Sequence, residues 1–367
     1  MFKGNFDISL DFLKVKSPPL IGVDISTSSV KMVELSLMDK GDQTYRIERY
    51  AIESMPADAM LDGGIVDLEA VSECLQRGWK RMGTRQRNVA LALPATDVIT
   101  KRIIVPAGQR EDDLAFQVEN EANQYIPFPL DEIDLDFQVV KPVPDNPEEV
   151  EILIVASRKE KVEDRVAAAL SAGLKAIIMD VEPYAAQAAF ELTLDQLPEG
   201  GKDQVIALVD IGATVMKINV LHNGESVYTR DQPFGGNQLT QEIRNQFNLS
   251  LEESEIAKRS GNLPENYKRD VLQPFCETLA VEVTRAIQFF YTSTQYTEVN
   301  YIFIAGGCAV IPGLDEIIAS RTQVSTLIVN PFLSMELSSR IIPRQLNLDA
   351  PSLLIACGLA LRSFDPS

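Results

Sequence analysis

The sequence predicts an α/β protein made of two related halves, with a small α+β module inserted in the first half. Three observations support this. Two stretches share one pattern: an apolar strand ending in an acid, a short turn, and a returning strand. Placing Asp24 on Asp210 aligns them without a gap, with Ile25 on Ile211, Ser28 on Thr214, Lys31 on Lys217 and Leu35 on Leu221. Between residues 98 and 172 the periodicity reads β-α-β-β-α, a texture unlike its surroundings. A break rich in turn formers, Leu197-Pro198-Glu199-Gly200-Gly201, separates the halves.

In chain order, residues 1–19 carry Phe2, Phe6, Ile8, Leu10, Phe12, Leu13 and Val15 among Lys3, Lys14 and Lys16, and close at Ser17-Pro18-Pro19. They read as an arm or short helix on the body, or as a peripheral anchor. Strands follow at 20–25, 30–35 and 45–54. The helix 68–82 places Val71, Leu75 and Trp79 on one face, and 88–93 is a strand. In the module, strand 98–105 leads to an acidic helix over 110–125, stopped by Ile126-Pro127-Phe128-Pro129 because neither proline continues a helix. Strand 135–140, a Pro-rich loop at 142–147, strand 150–156 and a helix ending at Gly173 complete it. A buried strand at 174–179 runs into Asp180-Val181-Glu182-Pro183 and a helix to residue 192. The second half has strands at 205–209 and 215–220, helices at 237–247, 251–260 and 275–294, and a strand at 301–305. The turn Gly306-Gly307 and helices at 313–320 and 352–361 close the chain.

The chain has 367 residues, 45% hydrophobic and 24% charged, with a net charge of −19. That length calls for more than one domain, and that charge argues against nucleic-acid binding and broad adhesion to anionic lipid. No apolar run approaches the ~20 residues of a transmembrane helix, and the N-terminus lacks the apolar core of a secretory signal. Four scattered cysteines and one histidine give no zinc site, no disulfide framework and no Ser-His or Cys-His catalysis. A reducing cytoplasm is the expected compartment.

The chemistry resides in the two hairpins. Asp210-Ile211-Gly212-Ala213-Thr214 ends a strand in a carboxylate and turns through a glycine. Such a turn exposes backbone N–H groups that cradle phosphate oxygens, and the carboxylate is placed to hold a cation through water. An ordinary tight turn is the alternative reading. With the Asp24 hairpin, two such turns provide for the β- and γ-phosphates, and Mg²⁺ suits the pair because it keeps most of its waters. Lys31 either meets phosphate as a point charge or serves surface solubility.

Five motifs in order then resemble the actin/DnaK-type ATPase superfamily, and within it FtsA and the PilM type IV pilus assembly family. They are the phosphate hairpin from Gly22 to Leu35, the second from Leu208 to Thr214, the adenosine motif from Tyr301 to Leu314, and the connecting helices at 180–186 and 356–360. The resemblance implies an actin-like ATPase fold around a nucleotide cleft. It implies subdomain 1A at 20–92, 176–199 and 345–367, an inserted FtsA 1C-like (SHS2) module at 93–175, subdomain 2A at 200–240 and 298–344, and 2B at 241–297. It also implies ATP and Mg²⁺ as cofactors. The nucleotide contacts would be Asp24, Ser26, Thr27, Ser28, Lys31, Asp210, Gly212, Ala213, Thr214, Gly235, Gly236, Glu255, Lys258, Gly306 and Gly307. Asp24 and Asp210 would hold Mg²⁺ through water. Glu182 would orient attacking water, or merely cap its helix; Glu255 and Lys258 would flank the nucleoside, or form a solvated i,i+3 pair. Ser26 stands where the superfamily often has glycine, which implies ATP binding with weak or no hydrolysis.

Two features resemble PilM rather than FtsA proteins: the segment Glu119 to Pro129, and a C-terminus that ends straight after the last core helix. The resemblance implies an adaptor at the cytoplasmic face of the inner membrane. It would bind the N-terminal cytoplasmic peptide of PilN and other pilus assembly platform proteins, with self-association possible and no nucleic acid. Tyr125, Phe128 and Pro129 are its expected partner contacts, or else they pack the module on the main domain. The alternatives are an FtsA-like filament former and a small-molecule kinase of the same superfamily.

Overall fold

The computed structural model describes residues 19–39, 44–144 and 146–365. The arm expected at 1–19 therefore lies almost wholly outside the described residues. The described residues fold as two compact units, one running up to Ala186 and resuming from Ile355, the other Gln187–Leu354. The division falls at Ala186/Gln187, inside a helix, and not at the 197–201 break.

The first unit opens with strands β1 (Ile21–Ile25), β2 (Ser29–Asp39) and β3 (Thr44–Ser54), then the short β4 (Met60–Leu61) and β5 (Gly64–Ile65), helix α1 (Leu68–Met82) and β6 (Asn88–Leu93). The module contributes β7 (Val98–Pro106), α2 (Glu111–Tyr125), β8 (Ile133–Val143), β9 (Asn146–Arg158) and α3 (Lys159–Ser171). Strand β10 (Lys175–Val181) and helix α4 (Glu182–Glu191) follow. The main sheet runs β10-β6-β1-β2-β3: β1, β2 and β3 form an antiparallel meander, while β6 and β10 join parallel to β1. All five residues of β1 are buried, as expected of a strand covered on both faces. Helix α1 is set by the Asp67 carboxylate, which accepts from the Ala70 N–H at 3.0 Å, and by Gly83 in the left-handed region at its end. It buries Val71, Cys74, Leu75 and Met82 against the sheet.

The second unit contains β11 (Val205–Ile211), β12 (Met216–His222) and β13 (Glu225–Gln232), then helices α5 (Gly236–Phe247), α6 (Leu251–Ser260) and α7 (Gln273–Ser293). Strand β14 (Tyr301–Ala305), α8 (Leu314–Thr322), β15 (Ser325–Ile328), β16 (Glu336–Leu337) and α9 (Pro343–Asp349) complete it, and α10 (Leu354–Leu361) returns to the first unit. Its sheet, β13-β12-β11-β14-β15, repeats the first: an antiparallel meander with two parallel strands on the other side of the leading strand. The duplication read from two hairpins therefore extends to whole sheets. Strand β13, which alternates polar residues on an edge, is an element the apolar pattern does not reveal. Helix α7 presents Phe275, Leu279, Val283, Ile287 and Phe290 to the same core as β11, β12 and β14.

The module is a three-stranded antiparallel sheet, β7-β9-β8, with α2 packed through Leu114 and Val118 on Val105, Ile152 and Ile154. The loop expected at 142–147 is mostly strand, because β8 is an edge strand where Pro142 withholds no needed donor. Pro147 lies beyond the last residues that β7 pairs. Helix α3 departs from the module: Ala168, Ala169 and Ala172 belong to the main core with α1 and β6.

Two glycines explain the motif in the last helix. A Cβ on Gly22 of β1 would collide with the Ala356 carbonyl of α10, and one on Gly358 would strike the Ala185 carbonyl of α4. Backbone stands where side chains would be, so neither neighbour can yield cheaply. Gly358→Ala is expected to destabilise the protein by about 3 kcal/mol in denaturant unfolding, whereas the adjacent Leu359→Met costs less than about 1.5 kcal/mol; equal effects would contradict this close helix crossing.

Candidate nucleotide-binding turns

Each unit carries one hairpin of the predicted type, built alike. Asp24 and Lys31 are cross-strand partners between β1 and β2, and Asp210 and Lys217 are cross-strand partners between β11 and β12. Both turns close with the same bond: the Ser26 N–H donates to the Ser29 carbonyl at 3.0 Å, and the Gly212 N–H donates to the Val215 carbonyl at 3.0 Å. Ser26 thus occupies the position of Gly212. There a Cβ would approach the Val215 carbonyl to 3.0 Å. Ser26 turns that proximity into a bond, its hydroxyl donating to the Ser29 carbonyl at 2.9 Å. The serine that departs from the superfamily pattern fastens the turn.

In the first unit, Asp24 is 4% exposed, and the Lys31 ammonium donates to its Oδ2 at 2.8 Å and to the Ser26 hydroxyl at 3.1 Å. Lys31, expected to meet phosphate or to serve surface solubility, is bonded to the acid and the turn. Thr27 and Ser28 are half-buried in that turn, and the Ser28 carbonyl accepts from Met55 N–H at 3.0 Å. Glu182 begins α4 and is buried. Asp180, two residues earlier and also buried, accepts from Arg362 Nε at 2.6 Å. Burial disfavours the charged Arg362 guanidinium, but Asp180 and Asp365 outweigh it and raise its pKa above the ordinary arginine value. A residue the sequence reading missed is Arg165 of α3, 3% exposed, whose guanidinium reaches the Ile25 and Gly63 carbonyls.

In the second unit, the turn receives the start of α5. The Gly236 N–H donates to the Gly212 carbonyl at 3.0 Å and Asn237 N–H to the Ala213 carbonyl at 2.8 Å. A Cβ on Gly235 would strike both carbonyls, so glycine there lets helix and turn meet. Ala213 is half-buried and Thr214 exposed. Thr240, also missed, is buried on α5. It donates to the Glu255 carboxylate, while the Lys258 ammonium donates to Thr240 Oγ1 at 2.6 Å and Glu255 Oε1 at 2.7 Å. Burial opposes ionisation of Glu255, but the bonds from Lys258 and Thr240 prevail and hold its carboxyl below the ordinary value. Glu255 and Lys258 are therefore joined through α5 rather than being a free i,i+3 surface pair. Nearby, burial pushes the Cys308 thiol up to about 12.

The two glycines after β14 differ in kind. Gly306 has φ +84°, and a Cβ there would strike Asp210 and the Ile211 carbonyl. Gly307 is exposed, with nothing within 4 Å of where its Cβ would lie. The protein's own packing requires the first and not the second.

On the module, Ile126 is buried with Ala122, Ile133 and Ala156, while Tyr125, Phe128 and Pro129 stay exposed. Ile126 does the packing in that segment. Lys101 Nζ lies 4.4 Å from the Tyr125 ring centroid, and the Arg158 guanidinium lies 5.6 Å from that of Phe128. Tyr125 also lines a cavity of about 630 Å³ with Lys101, Arg102, Ile103 and Glu121. Among the described residues, no helix is long and apolar enough to cross a membrane and no cluster of metal-ligating side chains occurs.

Duplicated sheets, each led by an acid-turn hairpin, define an actin-like ATPase fold, which the comparisons bear out. A family model for the type IV pilus assembly protein PilM matches residues 22–364. The chain belongs to the PilM family. The solved PilM-PilN type IV pilus biogenesis complex contains a chain 27% identical to it, with a TM-score of 0.77 over 96% of this chain and 100% of that one. The ethanolamine utilization protein EutJ from Carboxydothermus hydrogenoformans shares the fold at 18% identity, with a TM-score of 0.55 over 95% of this chain and 91% of that one. The cell division protein FtsA of Bacillus subtilis (strain 168) is 21% identical over 261 residues, 65% of this chain; the match spans only 57% of that protein.

Gly306→Ala is expected to lower unfolding stability by about 2 kcal/mol or more, and Gly307→Ala to leave it within about 0.5 kcal/mol. Thermal or denaturant melts of the two variants check the contrast, and equal losses would contradict it.

Proposed function

We propose that this chain is an ATP-binding adaptor of the type IV pilus assembly platform, which binds the cytoplasmic N-terminal peptide of a PilN-type partner and responds to nucleotide. The observation that carries the nucleotide reading is the pair of hairpins with the same acid–lysine register and turn closure. Two independent packing environments keep this geometry, which an ordinary tight turn does not require. Gly307 adds to it: a glycine that nothing in the protein demands suits a backbone that a ligand must approach closely.

The turns at 26–28 and 212–214 would take phosphate oxygens on their backbone N–H groups. Gly306, Gly307, Glu255 and Lys258 would hold the nucleoside, with Gly235 and Gly236 setting α5 against the second turn. Bound ATP–Mg²⁺ supplies negative charge and a hydrated cation at the turns. Asp24, whose Oδ2 is engaged by Lys31, suits a contact to Mg²⁺ through water rather than direct ligation, and Asp210 is assigned the same role. Lys31 balances the Asp24 charge and braces the turn. Glu182 is assigned to orient water, in a site we read as binding ATP with weak or no turnover. The protein would then act at the cytoplasmic face of the inner membrane through its partner.

Partner recognition is assigned to the module. Tyr125 is exposed beside a cavity lined by both charge signs and by aliphatic surface, which suits an extended peptide with mixed side chains. Exposed aromatics of this kind dominate binding energy where they become buried. Calorimetric titration of the partner's N-terminal peptide into the full-length protein, with and without ATP–Mg²⁺, tests the reading. Saturable binding is expected, weakened about tenfold or more by Tyr125→Ala and changed in affinity by nucleotide. Absence of saturable binding, or the same affinity in the variant, would contradict it.

A further inference from the structure

Arg165 has no place in the nucleotide or partner reading, yet it is the most deeply buried cation described. It is 3% exposed on α3, a helix whose neighbouring core positions are Ala168 and Ala169. A helix that only packs has no use for a guanidinium, because burying the charge costs free energy unless it is paired and bonded. Arg165 is both. Its Nη2 donates to the Gly63 carbonyl at 2.8 Å, in the β4–β5 hairpin, and its Nη1 to the Ile25 carbonyl at 3.4 Å. Burial is the largest influence and pushes its pKa below the ordinary arginine value, and the attraction of Glu182 and Asp24, then Asp97 and Asp164, opposes this only in part.

The location of these partners matters. Ile25 is the last residue of β1, so its carbonyl belongs to the peptide that enters the Ser26 turn. Asp24 is assigned to the first turn and Glu182 to orienting water beside it. Helix α3, in turn, follows directly from β9, the central strand of the module sheet, which pairs with both β7 and β8. One side chain thus grips the entry to the phosphate turn while its backbone continues the module. A fork with donors in fixed geometry suits this better than a flexible ammonium.

We propose that Arg165 is the positioning residue that couples occupancy of the first phosphate turn to the inserted module. A ligand that shifts the Ile25 peptide, or changes the charge balance at Asp24 and Glu182, moves the guanidinium and with it α3 and the end of β9. The module senses the turn because a rigid helix starts at its sheet and ends in the main core. This rests on the reading that the turn binds nucleotide.

The test is amide hydrogen exchange of the full-length protein with and without ATP–Mg²⁺, in wild type, Arg165→Met and Arg165→Lys, with nucleotide binding measured separately by titration. In wild type, ATP–Mg²⁺ is expected to slow exchange at the 26–29 turn and also, about fivefold or more, in β9 and α3. In Arg165→Met the slowing at the turn persists and the slowing in β9 and α3 is lost. Arg165→Lys, which keeps the charge and not the fork, shows the same loss, and carries the test if the methionine variant does not fold. Full remote slowing in the lysine variant, or equal remote slowing in wild type and Arg165→Met, overturns the proposal while the nucleotide reading stands. Failure of wild type to bind ATP–Mg²⁺ overturns both, and the titration identifies that case.

Discussion

The structure depends on a constraint that both halves meet in the same way: a carboxylate at the end of a strand that leads a sheet. At Asp24, 4% exposed, an unpaired charge would be costly, and the opposing strand supplies Lys31 at 2.8 Å. Because Lys31 sits seven residues on, the pairing fixes the hairpin register, and a slip by one residue would send every apolar residue of β2 to the wrong face. The turn between is then closed by the Ser26–Ser29 bonds. The same strand register at Asp210 and Lys217, with Gly212–Val215 closing the turn, shows that the hairpin was duplicated with the sheet.

The glycines follow from that constraint. Both carboxylate-ended strands have backbone packed close beside them, which glycine makes room for. Gly235 and Gly306 provide this in the second unit, Gly235 where α5 meets the turn and Gly306 where the backbone passes Asp210. In the first unit Gly22 and Gly358 perform the equivalent service for α10 and α4. The motifs that identify the family are therefore largely records of backbone packing. Gly307 is the exception: nothing in the protein lies within 4 Å of where its Cβ would be.

Much of this was legible in the sequence because it is local. Alternation and apolar runs place β1, β2, β6 and β11, and the spacing of Val71, Leu75 and Trp79 places α1. The gap-free match of the hairpins anticipates their common register. What stayed hidden depends on contacts distant in sequence. Nothing near residue 165 marks an arginine that will lie beneath Ile25, and Thr240 reads as an ordinary helix residue until Glu255 and Lys258 pack against it. The edge strand β13 escapes because its polar alternation resembles a loop, and Pro142 mimics a turn while sitting harmlessly on an edge. The division inside α4 was missed because a helix carries no boundary residues, whereas the 197–201 segment is full of them.

The central proposal is that each hairpin is a phosphate-binding turn. The most direct measurement is ATP–Mg²⁺ affinity in Asp24→Asn and Asp210→Asn, two nearly isosteric changes. The account predicts that each variant loses about tenfold or more in affinity. Affinity unchanged in either variant would contradict it.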